Sequence, residues 1–316
     1  MSSTGFSELL RQLRAGEVSG GSAIGRAAAQ VLALSVAEYT GSDYDEMRRR
    51  LRDTARELLL LMPVMATVAN AVRAAEGLLE AKIASHAPAE EIRAALSAWA
   101  HDTVRRSEVN LERLAEAGAH LLADGVTLVT HSRSDSVIRI LRAACRQRKT
   151  LTIIATESRP LREGRRVLEE AARLGFRGEL IPDAAVGARI REAHLALVGA
   201  DAILPSGAFL NKTGTFLLAL AARHFGIPLY VAAETAKLDL RAVQGHPPDV
   251  GSRPPEELTE GWVPPDGITV WNRFFEVTPA PLVEAYITER GVVPAGGIGL
   301  WAQRLLESHP AEGVRW

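Results

Sequence analysis

Cysteine is nearly absent: the 316 residues contain one, Cys145. A single thiol excludes an internal disulfide framework and a structural zinc site built on cysteine pairs. Lysine is scarce too. Only Lys82, Lys149, Lys212 and Lys237 stand among 37 basic residues, so arginine fills almost every other basic position and each lysine draws notice. No charge excess of one sign exists: 37 basic against 38 acidic side chains leave a net charge of −1 and no electrostatic ground for direct nucleic-acid binding. No apolar run reaches the ~18 residues of a membrane span, and Met1–Glu17 carries charges in place of a signal core. A soluble, cytoplasmic protein without membrane attachment is expected. The histidines form no HxxxH or HExxH pair, so no metal site is expected; no cofactor is expected either.

What is there is an ordinary globular mixture, 47% hydrophobic and 24% charged, long enough for two domains. Residues 1–120 read as helical. Ser22–Tyr39, Tyr44–Leu61, Val64–Ser85 and Ala89–Leu122 carry apolar residues at three- and four-residue spacing and are rich in Ala, Leu, Arg and Glu. Gly41-Ser42-Asp43 and His86-Ala87-Pro88 break the pattern. The texture changes at Asp124-Gly125. Short apolar runs at Val126–Thr130, Leu151–Ala155, Gly178–Ile181, Leu195–Val198, Pro228–Ala232 and Phe274–Val277 predict strands. Amphipathic stretches at Ser134–Gln147, Pro160–Leu174, Ala184–Glu192 and Phe209–Phe225 predict the intervening helices. Alternation of this kind means βαβ units and a parallel sheet. The expected fold is α/β: a helical N-terminal domain, 1–120, then a Rossmann-like doubly wound domain, 121–316. Gln244–Gly267, with six prolines, reads as an irregular excursion.

Ligands of open α/β sheets bind beyond the carboxyl ends of the strands. Five successive strands deliver polar groups there: Thr130-His131-Ser132-Arg133-Ser134, Thr156-Glu157-Ser158-Arg159-Pro160, Asp183, Gly199-Ala200-Asp201 and Glu234-Thr235. Ser134, Thr156, Asp183 and Asp201 also suit helix caps. Asn211-Lys212-Thr213-Gly214-Thr215 is expected to open a helix with free amides, hydroxyls and an ammonium, a plausible phosphate site that lacks Walker A spacing. Arg159 offers a planar fork for phosphate or carboxylate, or else pairs with Glu157 or Asp183. Asp201, directly after an apolar strand, is expected to be poorly solvated, which suits proton transfer; a cap or an ion pair with Lys212 is the alternative. His131 and His246 are candidate site lining, while His194 and His224 read as helix-surface residues. Cys145 reads as a packing residue, and Gly296-Gly297-Ile298-Gly299 lacks the spacing of a dinucleotide loop.

Taken in order, Thr130-His131-Ser132, Thr156–Pro160, Asp183–Gly187, Gly199-Ala200-Asp201, Asn211–Thr215 and Ala232–Lys237 resemble the initiation factor 2B alpha/beta/delta subunit family. That family includes isomerases of methylthioribose-1-phosphate and ribose-1,5-bisphosphate. Val277-Thr278-Pro279 and Ile287–Val293 match its usual ending, and Gly20–Gly25 matches its N-terminal motif more loosely. The resemblance implies dimerisation through the C-terminal domain and a pocket for a phosphorylated sugar or nucleoside monophosphate. It implies Asp201 and Ser132 at the catalytic positions, with Gly21, His131, Arg133, Ser134, Arg159, Asn211, Lys212, Glu234 and Lys237 binding substrate. Two departures matter. Ser132 replaces the isomerases' cysteine, and Ser19 or a neighbour stands where they carry an arginine. A serine hydroxyl is a far weaker acid than a thiol of pKa ~8.5, and His131 is the one neighbouring base evident. The favoured expectation is therefore a regulatory, initiation-factor-like member with a possible translation-factor partner. The alternative is an aldose–ketose isomerase of a phosphorylated pentose using Asp201 as acid/base.

Overall fold

A computed structural model describes residues 5–243 and 250–301; His246 and part of the proline-rich excursion lie outside them. Two units emerge, one from Met1–Val109, Ala236–Pro248 and Leu300–Trp316, the other from Asn110–Thr235 and Asp249–Gly299.

The first unit is helical: α1 (Phe6–Arg14), α2 (Gly21–Ala37), α3 (Tyr44–Leu61), α4 (Ala66–Ala84) and most of α5 (Ala89–Leu121). Asp43 caps α3 by accepting from the Asp45 amide. Small residues let α2 and α4 pack closely: a Cβ on Gly25 would fall 2.5 Å from Thr67, whose hydroxyl donates to the Gly21 carbonyl. Val31, Leu32 and Val36 of α2 are fully buried with Val68 and Ala69 of α4. The chain rejoins these helices at α10 (Leu240–Val243). There Asp239, fully buried, pairs with Arg241, which donates to the Pro63 carbonyl, while Asn70 donates to the carbonyls of Ala236 and Leu238.

The second unit alternates β1 (Thr127–Thr130), α6 (Asp135–Arg146), β2 (Thr152–Thr156), α7 (Gly164–Arg173), β3 (Arg177–Ile181), the single-turn α8 (Val186–Arg189) and β4 (Leu195–Gly199). Then come β5 (Ala202–Ile203), β6 (Phe209–Lys212), α9 (Thr215–His224), β7 (Leu229–Ala232), the short α11 (Glu256–Thr259), β8 (Phe275–Thr278), β9 (Ala285–Thr288) and β10 (Gly291–Pro294). The main sheet runs β10-β9-β7-β4-β1-β2-β3, parallel except for β10. Its central strand β4 is buried at every residue, as a sheet covered on both faces requires. The chain runs from β1 outward to β3 and returns on the other side at β4, so the topological switch point lies between β1 and β4. That is the crevice where such folds bind ligands.

The α/β class and mostly parallel sheet agree with expectation; several boundaries do not. The helix expected over Phe209–Phe225 starts only at Thr215, because Phe209–Lys212 pairs antiparallel with β5 and β8 in a separate three-stranded sheet. Its apolar run fits a strand as well as a helix, and Gly214, at φ 108°, makes the turn between them. The run at Phe274–Val277 joins that small sheet rather than the parallel one. Ala184–Glu192 is two 3-10 turns flanking one α turn, and Pro160–Leu174 becomes helical only from Gly164. Helix α1 and strands β5, β9 and β10 were absent from the periodicity reading, being short or weakly patterned.

Gly164 fixes the approach of α7 to β2, since a Cβ there would lie 1.8 Å from the Thr156 carbonyl oxygen. Gly164→Ala is expected to destabilise by ~1–3 kcal/mol or more through overpacking. Gly77→Ala, mid-helix in α4 with nothing within 4 Å, is expected to stabilise by up to ~1 kcal/mol. Thermal denaturation of the two variants checks the opposite signs.

Candidate active site at the switch point

The first switch-point loop leaves β1 through a buried histidine. His131 Nε2 lies 2.9 Å from the Thr213 carbonyl and Nδ1 lies 2.6 Å from Thr156 Oγ1. A carbonyl can only accept, so Nε2 carries the proton and Nδ1 accepts from the Thr156 hydroxyl. Burial pushes the imidazole pKa down, against the opposing pull of Asp183 and the Thr213 carbonyl. His131 is therefore a neutral strut between β1, β2 and the turn before α9. It makes Gly214 obligatory, because a Cβ there would fall 2.6 Å from the ring. Ser132 follows at φ 63°, a conformation that is unfavourable for a residue with a Cβ and is held by its amide donating to Ser158 Oγ at 2.7 Å.

The second loop is pinned from β3. Asp183 accepts from the amides of Ser158 and Arg159 at 2.6 and 2.8 Å. The turn that follows carries Glu163 back over the end of β1. There one oxygen, Oε2, accepts from Ser132 Oγ at 3.0 Å and from Lys212 Nζ at 3.0 Å. Lys212 comes from the end of β6, is 2% exposed, and sits 3.6 Å from the Phe274 ring centroid. Burial lowers its pKa while Glu163 opposes the shift. Arg253 lies over the same ring and pairs with Glu257. The site is thus a chain of hydroxyl, carboxylate and buried ammonium.

Strand alternation sends Asn211 away from Lys212, with its amide donating to Thr215 Oγ1. Two of the amides expected to be open at the start of α9, those of Gly214 and Phe216, both donate to Glu276 Oε1 at 2.7 Å. The Arg159 guanidinium pairs with neither Glu157 nor Asp183; it holds Glu260 together with Arg162, and Arg159 keeps that carboxyl below its ordinary range. Asp201, half buried, leads from β4 into β5 with its amide on the Leu210 carbonyl. Ser134 caps α6 and abuts Gly199, where a Cβ would lie 2.3 Å from its oxygen, so the loops after β1 and β4 touch at the switch point. Arg133 turns to a cleft lined by Arg166, Arg173, Glu169 and Glu170. Glu234 is buried just beyond β7. In the helical unit, Gly21 is buried as the first residue of α2, and Lys237 is buried in the turn Thr235–Lys237. Among the described residues no three His, Cys, Asp or Glu are grouped to hold a metal ion, and no helix is long and apolar enough to cross a membrane.

Sequence reading missed Glu163, Glu260, Glu276 and Phe274. Glu163 fell inside the helix expected over Pro160–Leu174; the others are brought in by antiparallel strands and the proline-rich segment.

Residues 17–295 match the model of the initiation factor 2 subunit family. The chain belongs to that family. It is 31% identical over 292 residues to the ribose 1,5-bisphosphate isomerase of Thermococcus kodakarensis, covering 91% of this chain and 90% of that protein. It is 34% identical over 286 residues to a putative translation initiation factor eIF-2B subunit 2-like protein of Pyrococcus horikoshii, covering 90% and 95%. The crystal structure of 5-methylthioribose 1-phosphate isomerase from Pyrococcus horikoshii superposes with a TM-score of 0.74 at 27% identity, covering 96% of this chain and 88% of that one. Relatives thus carry both isomerase and initiation-factor names, within the family the motifs indicated.

Because burial holds the folded His131 pKa below its unfolded value, only the unfolded chain binds this proton between the two. Its contribution is constant above pH ~6.5 and falls by about 1.4 kcal/mol per pH unit below that, until the folded pKa is reached. Urea denaturation from pH 7.5 to 5 should show a shallower loss in His131→Gln. Thr156→Val, which strips Nδ1 of its donor, should cost ~1–3 kcal/mol at neutral pH.

Proposed function

We propose that this chain is a regulatory member of the initiation factor 2 subunit family that binds a phosphorylated sugar or a nucleoside monophosphate beside Lys212 without isomerising it. The observation that carries the reading is the Lys212 ammonium, 2% exposed at the switch-point edge and beside a serine hydroxyl rather than a thiol. A desolvated ammonium at a strand end is a strong attractor for phosphate. The Ser132 hydroxyl donates to Glu163 and is too weak an acid to do the work of a thiol. No cofactor or metal enters this reading. It acts in the cytoplasm, with a translation factor as the expected partner class.

A second reading, isomerisation of a phosphorylated pentose, is favoured by one residue: Asp201, a carboxylate in the loop after β4 at the switch point. A proton NMR time course in deuterated water separates the two. With ribose-1,5-bisphosphate, methylthioribose-1-phosphate, ribose-5-phosphate and AMP, the regulatory reading expects saturation transfer with no ketose signal. Ketose formation or deuterium at C2, lost in Asp201→Asn, overturns it in favour of the isomerase. Lys212→Met is expected to weaken sugar-phosphate affinity at least tenfold, the loss of one charge-assisted contact of ~1.5–3 kcal/mol; a change under twofold removes the phosphate site.

Self-association is proposed through α9, the Phe225 that caps it, and β8, where Leu217, Leu220, Phe225 and Val277 are all more than 40% exposed. Light scattering should report a homodimer at micromolar concentration, and Leu217→Arg with Leu220→Arg should yield a monomer.

A further inference from the structure

Three groups of donors that the sequence assigns to an anion are already held by carboxylates of the chain itself. Glu276 takes the Gly214 and Phe216 amides at the start of α9, Glu260 takes Arg159, and Glu163 takes Lys212. The first two differ from the third. Glu276 closes a helix N-terminus from the adjacent strand β8, where it lies opposite Asn211 in the register, a structural cap. Glu260 sits 47% exposed on the proline-rich segment, so its ion pairs are screened. Only the Glu163 pair combines a buried cation with a carboxylate that is itself open to solvent, 2% against 21% exposed.

We infer that Glu163 is an internal counter-anion that occupies the Lys212 phosphate position and sets the affinity and specificity of the site. This rests on the reading of Lys212 as the phosphate donor.

The valences of the two groups define the competition. An ammonium has three N–H donors and no acceptor. One goes to Glu163 Oε2, and the face of Phe274, 3.6 Å away, shields another side of the nitrogen. A phosphate oxygen approaching Nζ therefore meets the Glu163 carboxylate within a few ångströms. Two anions sharing one buried cation repel more strongly than they would in water. Phosphate binds only as Glu163 leaves.

The local geometry allows it to leave. Glu163 ends the turn before α7, and its side chain is 21% exposed, so the carboxylate has solvent to rotate into while Gly164 keeps the backbone seated. Its carboxylate gives up two contacts on leaving, the Ser132 hydroxyl and the Lys212 ammonium. Ser132 Oγ is thereby freed as a donor at the moment a ligand arrives. The Ser132 hydroxyl thus serves as the catch of this gate and passes from Glu163 to the bound ligand. Ligands of low charge at the contacted group gain nothing from Lys212 and do not displace Glu163. Phosphomonoesters do, at a cost in affinity that an uncharged residue at 163 would remove.

The test is the affinity for ribose 5-phosphate, by calorimetry on the full chain, in wild type, Glu163→Gln, Lys212→Met and the double variant. Glutamine keeps the shape and the serine contact while removing the charge. Glu163→Gln is expected to bind at least tenfold tighter than wild type, and the double variant no tighter than Lys212→Met. Thermal denaturation verifies folding, with Glu163→Ala as the second variant, expected to tighten binding in the same direction. Equal affinity of wild type and Glu163→Gln, within twofold, overturns the gate and leaves the phosphate site standing. Weaker binding by Glu163→Gln makes Glu163 a ligand contact and also overturns the gate. Absence of binding in wild type, Glu163→Gln and Glu163→Ala alike refutes the phosphate site, and the gate with it.

Discussion

The ammonium of Lys212 must be neutralised where it is buried, and much of the switch-point architecture follows from that requirement. A lysine at 2% exposure has lost its water, and an unpaired buried charge is among the costliest features a fold can carry. The partner has to arrive from elsewhere in the chain, because the residues on either side, Asn211 and Thr213, carry no charge. Glu163 is delivered by the turn after β2. That turn is held by Asp183 on the Ser158 and Arg159 amides and by the close seat of Gly164 against Thr156. Phe274 supplies the remaining surface from the segment leading into β8. The turn after β2, the end of β6 and the segment leading into β8 thus converge on one nitrogen.

His131 gives this convergence its rigidity. As a neutral imidazole it links the first switch-point loop to β2 through Thr156 and to the β6–α9 turn through the Thr213 carbonyl. Ser132 inherits its strained backbone from that anchorage and presents its hydroxyl to Glu163. The serine is thus a hydrogen-bond donor to a carboxylate, a role that needs no acidity.

Much of the scaffold was legible from periodicity. The four long helices and the strands β1, β2, β4 and β7 announce themselves by long amphipathic patterns or by apolar runs bounded by turn residues. The placement of Ser132, Arg159 and Asp201 after parallel strands was legible from the rule that such sheets offer their carboxyl ends, whereas Lys212 arrives from β6 of the separate antiparallel sheet. The partners were not legible. Phe209–Lys212 carries no signal that separates a strand from a helix start, since the decision belongs to its pairing with β8, 60 residues later. Once β6 is a strand, Asn211 and Lys212 face opposite ways, and the Gly214 and Phe216 amides fall to Glu276. Glu163 was hidden for a different reason. A glutamate in a polar loop looks like any solvated residue until the turn carries it to a buried lysine.

The most direct test of this account is a crystal structure of the protein with ribose 5-phosphate at saturating concentration. The account predicts phosphate oxygens within hydrogen-bond distance of Lys212 Nζ, with the Glu163 carboxylate turned away and the Ser132 hydroxyl on the ligand. A saturated crystal in which Ser132, Glu163 and Lys212 keep their contacts and phosphate binds elsewhere, or nowhere, would contradict it.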